Sequence, residues 1–205
     1  MPSTEASPSG ELRRLAAERP TDARRIGAYL DSLSHPERVA AVRGLGRTEQ
    51  RALYAAVDGF RPLQLVDLVS PARGDEETVR HFGRNTLPAF THFEKRFCRP
   101  AGSDPAAPAV LWGFNHQTLQ PVTGPGYFVA RAAADRPEIE VDYHHVPDSQ
   151  PDGWPAVRRN EVGLSRFIYG FMIDTLRGVS EHVTIGSAAR KGRDMGSWFV
   201  LCREP

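Results

Sequence analysis

The stretch EIEVDYHH, residues 138–145, sets the reading of the fold. Ile139, Val141 and Tyr143 fall on one side of an extended chain, and Glu138, Glu140, Asp142 and His144 on the other. Successive side chains of a strand point to opposite faces, so this alternation describes a strand with one face on a core. The same period of two runs upstream. YFVARA (127–132) follows the turn-like TGPG (123–126), and Val110, Trp112 and Phe114 alternate within residues 109–117. Phe93, Lys95 and Phe97 alternate with Glu94, Arg96 and Cys98. Downstream, residues 182–188 and 196–203 pair as a hairpin about a Lys/Arg/Gly turn at 190–193. Between these lies a different period. Leu164, Phe167, Ile168, Phe171, Met172, Leu176 and Val179 recur mostly at spacings of three and four, which predicts an amphipathic helix over 164–178.

The first half of the chain carries helix signals. Thr21 or Asp22 caps a segment reaching about Leu33, with Ile26, Tyr29, Leu30 and Leu33 as its apolar stripe. Ser34, followed by Pro36 and Glu37, has the form of a capping box, and the helix it opens should stop near residues 44–46. Another helix begins at Thr48, carries Leu53, Tyr54 and Val57, and ends at Gly59. LQLVDLV (63–69) favours a helical turn over a strand, and residues 76–82 return to helix. The expected class is therefore α+β: N-terminal helices followed by an antiparallel sheet packed against an amphipathic helix. Residues 1–10 are expected to be a disordered tail. Residues 11–205 are expected to form one domain, helical over 11–87 and sheet-rich over 88–205.

Bulk properties narrow the function classes. The chain has 205 residues, 26 Lys and Arg against 25 Asp and Glu, and a formal charge of +1. Near-neutrality argues against nucleic acid as a partner, because phosphate binding needs a concentrated basic surface. No apolar run reaches transmembrane length, so membrane insertion is not expected. The first ten residues lack the pattern of a secretory signal, which points to the cytoplasm. Two cysteines, Cys98 and Cys202, read as buried small hydrophobes rather than a disulfide.

Around Phe167, Gly170, Phe171, Gly178, Val183, Gly192 and Phe199, the chain resembles the closing part of the small-molecule-binding domains of the vinyl-reductase family and their haem–nitric-oxide-binding relatives. The similarity covers about residues 126–203. It implies a sensory or ligand-binding scaffold. The zinc cysteines of the vinyl-reductase family are not matched, since Gly163, Leu164 and Ser165 stand at the helix start and only Cys202 lies on the last strand. No haem-ligand motif includes His182.

Polar and aromatic residues concentrate in the second half. Trp112, Asn115, His116, Tyr127, Tyr143, His144, Phe171, Asp174 and His182 are the candidate ligand contacts. An apolar, aromatic wall with a few convergent polar groups is the usual composition of a ligand pocket, and an ordinary core has the same composition. Asp174 is the sharpest anomaly, a carboxylate inside an apolar run with Arg166 and Arg177 as candidate partners. Adjacent His144 and His145 should point in opposite directions if extended. Neither an HxxxH helix pair nor an HxH strand pair occurs, so no metal or catalytic set is assigned, and no cofactor is named. The leading expectation is a non-enzymatic small-molecule-binding or regulatory domain, its pocket between the sheet and the 164–178 helix, taking a small apolar or aromatic ligand. The alternatives are a protein-interaction or homo-oligomerising domain that exposes Leu63, Leu65, Leu68 and Val69, and a His/carboxylate enzyme.

Overall fold

The computed structural model describes residues 7–88, 91–117, 124–160 and 169–205. Among the described residues five helices lead: α1 (Pro8–Ala17), α2 (Ala23–Ser32), α3 (His35–Arg43), α4 (Arg47–Ala56) and the short α5 (Leu65–Leu68). Eight strands follow among the described residues: β1 (Val79–Asn85), β2 (His92–Cys98), β3 (Leu111–His116), β4 (Tyr127–Ala132), β5 (Ile139–Asp142), β6 (Met172–Gly178), β7 (Val183–Arg190) and β8 (Arg193–Arg203). Each strand pairs antiparallel with the next, and β1 also pairs with β8, with Gly83 opposite Leu201, so the sheet closes into a barrel. Closure leaves none of these eight described strands with a free edge to template pairing with another chain.

Local chemistry accounts for the helix starts. The Asp22 carboxylate accepts from the Arg25 backbone N–H at 3.1 Å, and Ser34 and Glu37 form the capping box. These occupy backbone donors that a first helical turn leaves unpaired. The helix α1 begins at Pro8 with Ser7 as its cap, earlier than the expected tail boundary; residues 1–6 lie outside the described set.

Alternation along the strands divides barrel interior from exterior. Val79, Phe93, Phe97, Leu111, Phe128, Ala130, Ile139, Val141, Leu176, Phe199 and Leu201 form the inner cluster. Outside, Val183, Ile185, Val200 and Cys202 pack against Leu12, Ile26, Leu30, Leu45 and Leu53 of the helical half. A second outer cluster joins Cys98, Trp112, Phe114, Tyr127 and Val129 to Trp154. Both cysteines are free and buried, and burial pushes their thiols up, Cys98 to about 12 and Cys202 to about 11. So few molecules carry the reactive thiolate at neutral pH.

Three expectations are corrected. Residues 172–178 are strand β6 rather than the second half of a helix, and 169–171 form a turn into it; the first part of that expected helix, 164–168, lies outside the described residues. Residues 79–85 are strand β1, so the sheet starts inside the stretch read as helical. Leu63, Leu65, Leu68 and Val69 are not an exposed apolar face, because they enter the inner cluster and stopper one end of the barrel.

Glycines on inward positions make room for phenylalanines in this interior, small and large residues alternating as a tapered barrel requires. A Cβ on Gly113 would lie 2.2 Å from the Phe128 ring and 2.6 Å from the Arg96 carbonyl oxygen. The second neighbour is backbone and cannot yield. Gly113→Ala is therefore expected to destabilise the fold by about 1–3 kcal/mol. Gly74→Ala, where the nearest atom would be 3.5 Å away, should change little. Urea denaturation of the two variants checks the contrast, and equal midpoints would contradict it.

Candidate functional site

Four polar side chains converge inside this apolar barrel. Strand β2 turns Lys95 inward because it is in phase with Phe93 and Phe97, and β3 does the same for Asn115 in phase with Leu111 and Gly113. Asp174 lies inward on β6 between Met172 and Leu176, and Tyr143 continues the inward series of Ile139 and Val141. All four are buried: Lys95 is 1% exposed, Asp174 2%, Asn115 4% and Tyr143 4%.

Their hydrogen bonds form one connected set. The Lys95 ammonium donates to Asp174 Oδ2 at 3.0 Å, to Asn115 Oδ1 at 3.2 Å and, through a short contact, to the Tyr143 hydroxyl. Tyr143 donates to Asp174 Oδ2 at 3.1 Å. Asn115 Nδ2 donates to the Tyr143 hydroxyl at 3.0 Å and to the Gly126 carbonyl at 3.2 Å. The ammonium also sits 4.8–4.9 Å from the ring centroids of Phe128, Tyr143 and Phe199, within cation–π range.

The electrostatics follow from burial opposed by pairing. Burial lowers the Lys95 pKa and raises that of Asp174, and their mutual attraction works against both shifts. Burial, then the Asp174 charge, pushes Tyr143 well above its ordinary value, so its hydroxyl stays protonated and remains a donor. Two donors on the same carboxylate oxygen favour the ionised carboxylate. Asp174 Oδ1 is different. It is buried with no hydrogen-bond partner, and it is the one carboxylate oxygen in that condition among the described residues.

Both ends of the site are built from local geometry. On one side Tyr169 stacks on Tyr143, ring centroids 5.5 Å apart and planes 12° from parallel. Gly126 has φ +56°, and a Cβ there would fall 2.6 Å from the Tyr169 ring. A bare backbone thus lets the ring close down while the Gly126 carbonyl serves Asn115. Gln117 donates to the Tyr169 hydroxyl at 3.0 Å. On the other side His81 meets the Leu68 carbonyl of α5 at 3.0 Å. Burial pushes the His81 pKa down to about 3, so the ring is neutral and donates through Nε2.

The sequence candidates divide accordingly. Asn115, Tyr143 and Asp174 are brought together. Trp112 and Tyr127 turn outward into the Trp154 cluster, the Tyr127 hydroxyl donating to the Pro155 carbonyl. His116 ends β3, out of phase with inward Asn115 and with its ring 6.5 Å from Phe114. His144 and Phe171 lie beyond the ends of β5 and β6, with ring centroids 6.0 Å apart. His182 sits in the β6–β7 turn, at the opposite end of the barrel, 3.1 Å from an Arg203 nitrogen. His116, His144 and His182 therefore share no common point. Among the described residues no group of three or more His, Cys, Asp or Glu is arranged to hold a metal ion.

The polar face expected on β5 is also redistributed. Glu138 is buried against Arg177 at 2.8 Å, and Arg177 reaches on to Asp58 at 3.1 Å and the Tyr54 carbonyl at 2.9 Å. Asp174 thus pairs with Lys95, and Arg177 faces outward to other partners. The chain turns after Asp142, so His144 and His145 both reach its carboxylate, at 2.8 and 2.6 Å, instead of pointing apart. Burial would raise the Asp142 pKa, but bonds from the His144 backbone and from both rings overcome it and hold the carboxyl below its usual range.

Lys95 is the member that sequence reasoning missed. Its signal was its phase: it falls between Phe93 and Phe97 on the apolar side of β2. A cation in phase with a core face needs an anion from elsewhere, and Asp174 is a carboxylate inside an apolar run.

No family model matches the chain, and neither a curated protein nor a solved structure matches it. Among the described residues no helix is long and apolar enough to cross a membrane.

Proposed function

We propose that this protein is a small-molecule-binding module that receives its ligand in the barrel interior, at the Lys95–Asp174–Tyr143–Asn115 centre, and acts by recognition rather than turnover. The observation that carries the reading is the unpartnered Asp174 Oδ1 inside an otherwise satisfied polar network. An unmatched buried carboxylate oxygen is costly unless something donates to it. Eight-stranded barrels have interiors just wide enough to be filled by side chains or to hold one small ligand. Aromatic walls with a few fixed polar groups suit the second use.

A regulatory role draws support from β6. That strand carries Asp174 on its inner face and, three residues on, Arg177 on its outer face bound to Asp58 and Tyr54 of the helical half. A shift of β6 on ligand binding would be felt by those helices. The resemblance of residues 126–203 to vinyl-reductase-family domains points toward the same kind of scaffold. The expected pocket moves from the sheet–helix interface to the inside of the barrel, because residues 172–178 are strand.

Native mass spectrometry of gently purified protein tests the proposal. The expected result is a non-covalent adduct of small-molecule mass that disappears on denaturation. An adduct-free native spectrum, together with no change in melting temperature across a panel of small aromatic compounds, would overturn it.

A further inference from the structure

We infer that the barrel interior selects a neutral, apolar ligand carrying one hydrogen-bond donor, such as a phenol or an alcohol, and that it rejects carboxylates in spite of its lysine. The inference rests on the interior-binding reading above and names its ligand class. A buried lysine surrounded by aromatic rings looks at first like a hook for an acidic ligand. The hydrogen-bond inventory says otherwise. An ammonium has three N–H donors, and those of Lys95 are directed at Asp174, Asn115 and Tyr143. The Tyr143 proton goes to Asp174, and Asn115 Nδ2 serves Tyr143 and Gly126. No donor of the four is left for a ligand, whereas one acceptor atom among them has no bond at all, Asp174 Oδ1.

Charge leads to the same class. Lys95 and Asp174 cancel, so the site is neutral overall. A carboxylate ligand would bring uncompensated negative charge beside Asp174 into a low-dielectric interior, and an ammonium ligand would bring uncompensated positive charge beside Lys95. A neutral hydroxyl adds neither and completes the carboxylate's hydrogen bonds. The rings of Phe128, Tyr143 and Phe199 around the Lys95 ammonium supply an apolar, aromatic wall next to that acceptor.

A matched trio of probes tests the inference on the full chain at pH 7: 2-naphthol, a neutral donor; 2-methoxynaphthalene, an acceptor only; and 2-naphthoate, an anion. Isothermal titration is expected to rank 2-naphthol first, by roughly 10- to 100-fold over 2-methoxynaphthalene, the range for a hydrogen bond to a charged group. 2-Naphthoate should be weakest. In Lys95→Met/Asp174→Asn the preference should fall away or reverse, because the amide at 174 presents N–H where the carboxylate presented a lone pair; circular dichroism checks that this variant folds. Equal or tighter binding of 2-methoxynaphthalene by the unmodified protein, or first rank for 2-naphthoate, would overturn the donor inference and leave interior binding standing. Failure of all three probes to bind, together with an adduct-free native spectrum, would overturn both.

Discussion

Lys95→Met is expected to lower the unfolding free energy by about 3–5 kcal/mol, the usual cost of stranding one partner of a buried ion pair. Asp174 is 2% exposed, so its charge would lose the ammonium 3.0 Å away with little water to replace it. The carboxyl would respond by taking up a proton, which lessens the loss but brings a strong pH dependence with it. Lys95→Met/Asp174→Asn behaves differently. It removes both charges and keeps an oxygen for the Tyr143 hydroxyl, so most of the stability should return, because well-packed neutral replacements of buried pairs are often neutral or stabilising. The diagnostic quantity is the coupling energy from urea denaturation of the wild type, both single variants and the double variant. A double variant as unstable as the sum of the singles would mean that Lys95 and Asp174 do not act as a pair.

Acidification should unfold the protein through His81. Its pKa is about 3 in the fold against an ordinary 6.5. The folded state therefore keeps the ring neutral while the unfolded chain takes up a proton as pH falls below 6.5. Stability from this group is complete above pH 6.5 and is lost as pH drops toward 3. At 1.36 kcal/mol per pH unit the loss reaches about 4–5 kcal/mol at the acid end and about 3 kcal/mol at pH 4. His81→Gln keeps a donor for the Leu68 carbonyl but does not titrate. It should be modestly destabilised at pH 7 and should lose about 3 kcal/mol less than the wild type between pH 7 and pH 4. Parallel losses in the two proteins would show that the ring charges without cost, and hence that α5 does not seal this end of the barrel.

The elements that could be read from sequence are those with local causes. Asp22 and the Ser34–Glu37 box start helices by occupying adjacent backbone donors, so a few residues suffice to identify them. The turn at 190–193 was visible because its centre needs positive φ, and Lys191 and Gly192 adopt +51° and +72°. β5 was plain because its two faces differ in polarity. β6 was not. Met172, Asp174 and Leu176 face the interior, while Ile173, Thr175 and Arg177 face outward, so both faces mix apolar and polar residues and no alternation shows. The helical stripe takes in Met172 and Leu176 of this strand, and a spacing of four puts both on one face of a helix and of a strand alike. β1 was hidden for a similar reason, since its inward positions are Val79, His81 and Gly83. Closure of the barrel depends on pairing β1 with β8, more than a hundred residues apart, which no local pattern encodes.

Three of the four polar residues of the site are legible in the sequence. Asn115, Tyr143 and Asp174 stood out as polar groups among aromatics, but an aromatic does not announce which side of a sheet it will occupy. Trp112 and Tyr127 belong to strands with apolar residues on both faces, and only the register places them outside. Lys95 does not stand out by residue type, because a lone lysine in a half-buried strand is ordinarily a solvated residue.

The central claim is that ligand enters the barrel and meets the polar centre. Aromatic-labelled protein titrated with 2-naphthol and followed by heteronuclear NMR tests this most directly. Resonances of Tyr143, Phe128 and Phe199 should shift together and saturably, with Tyr127 and Trp112 of the outer cluster unmoved. Shifts confined to the outer cluster or the helical half, with the interior rings unchanged, would contradict the account.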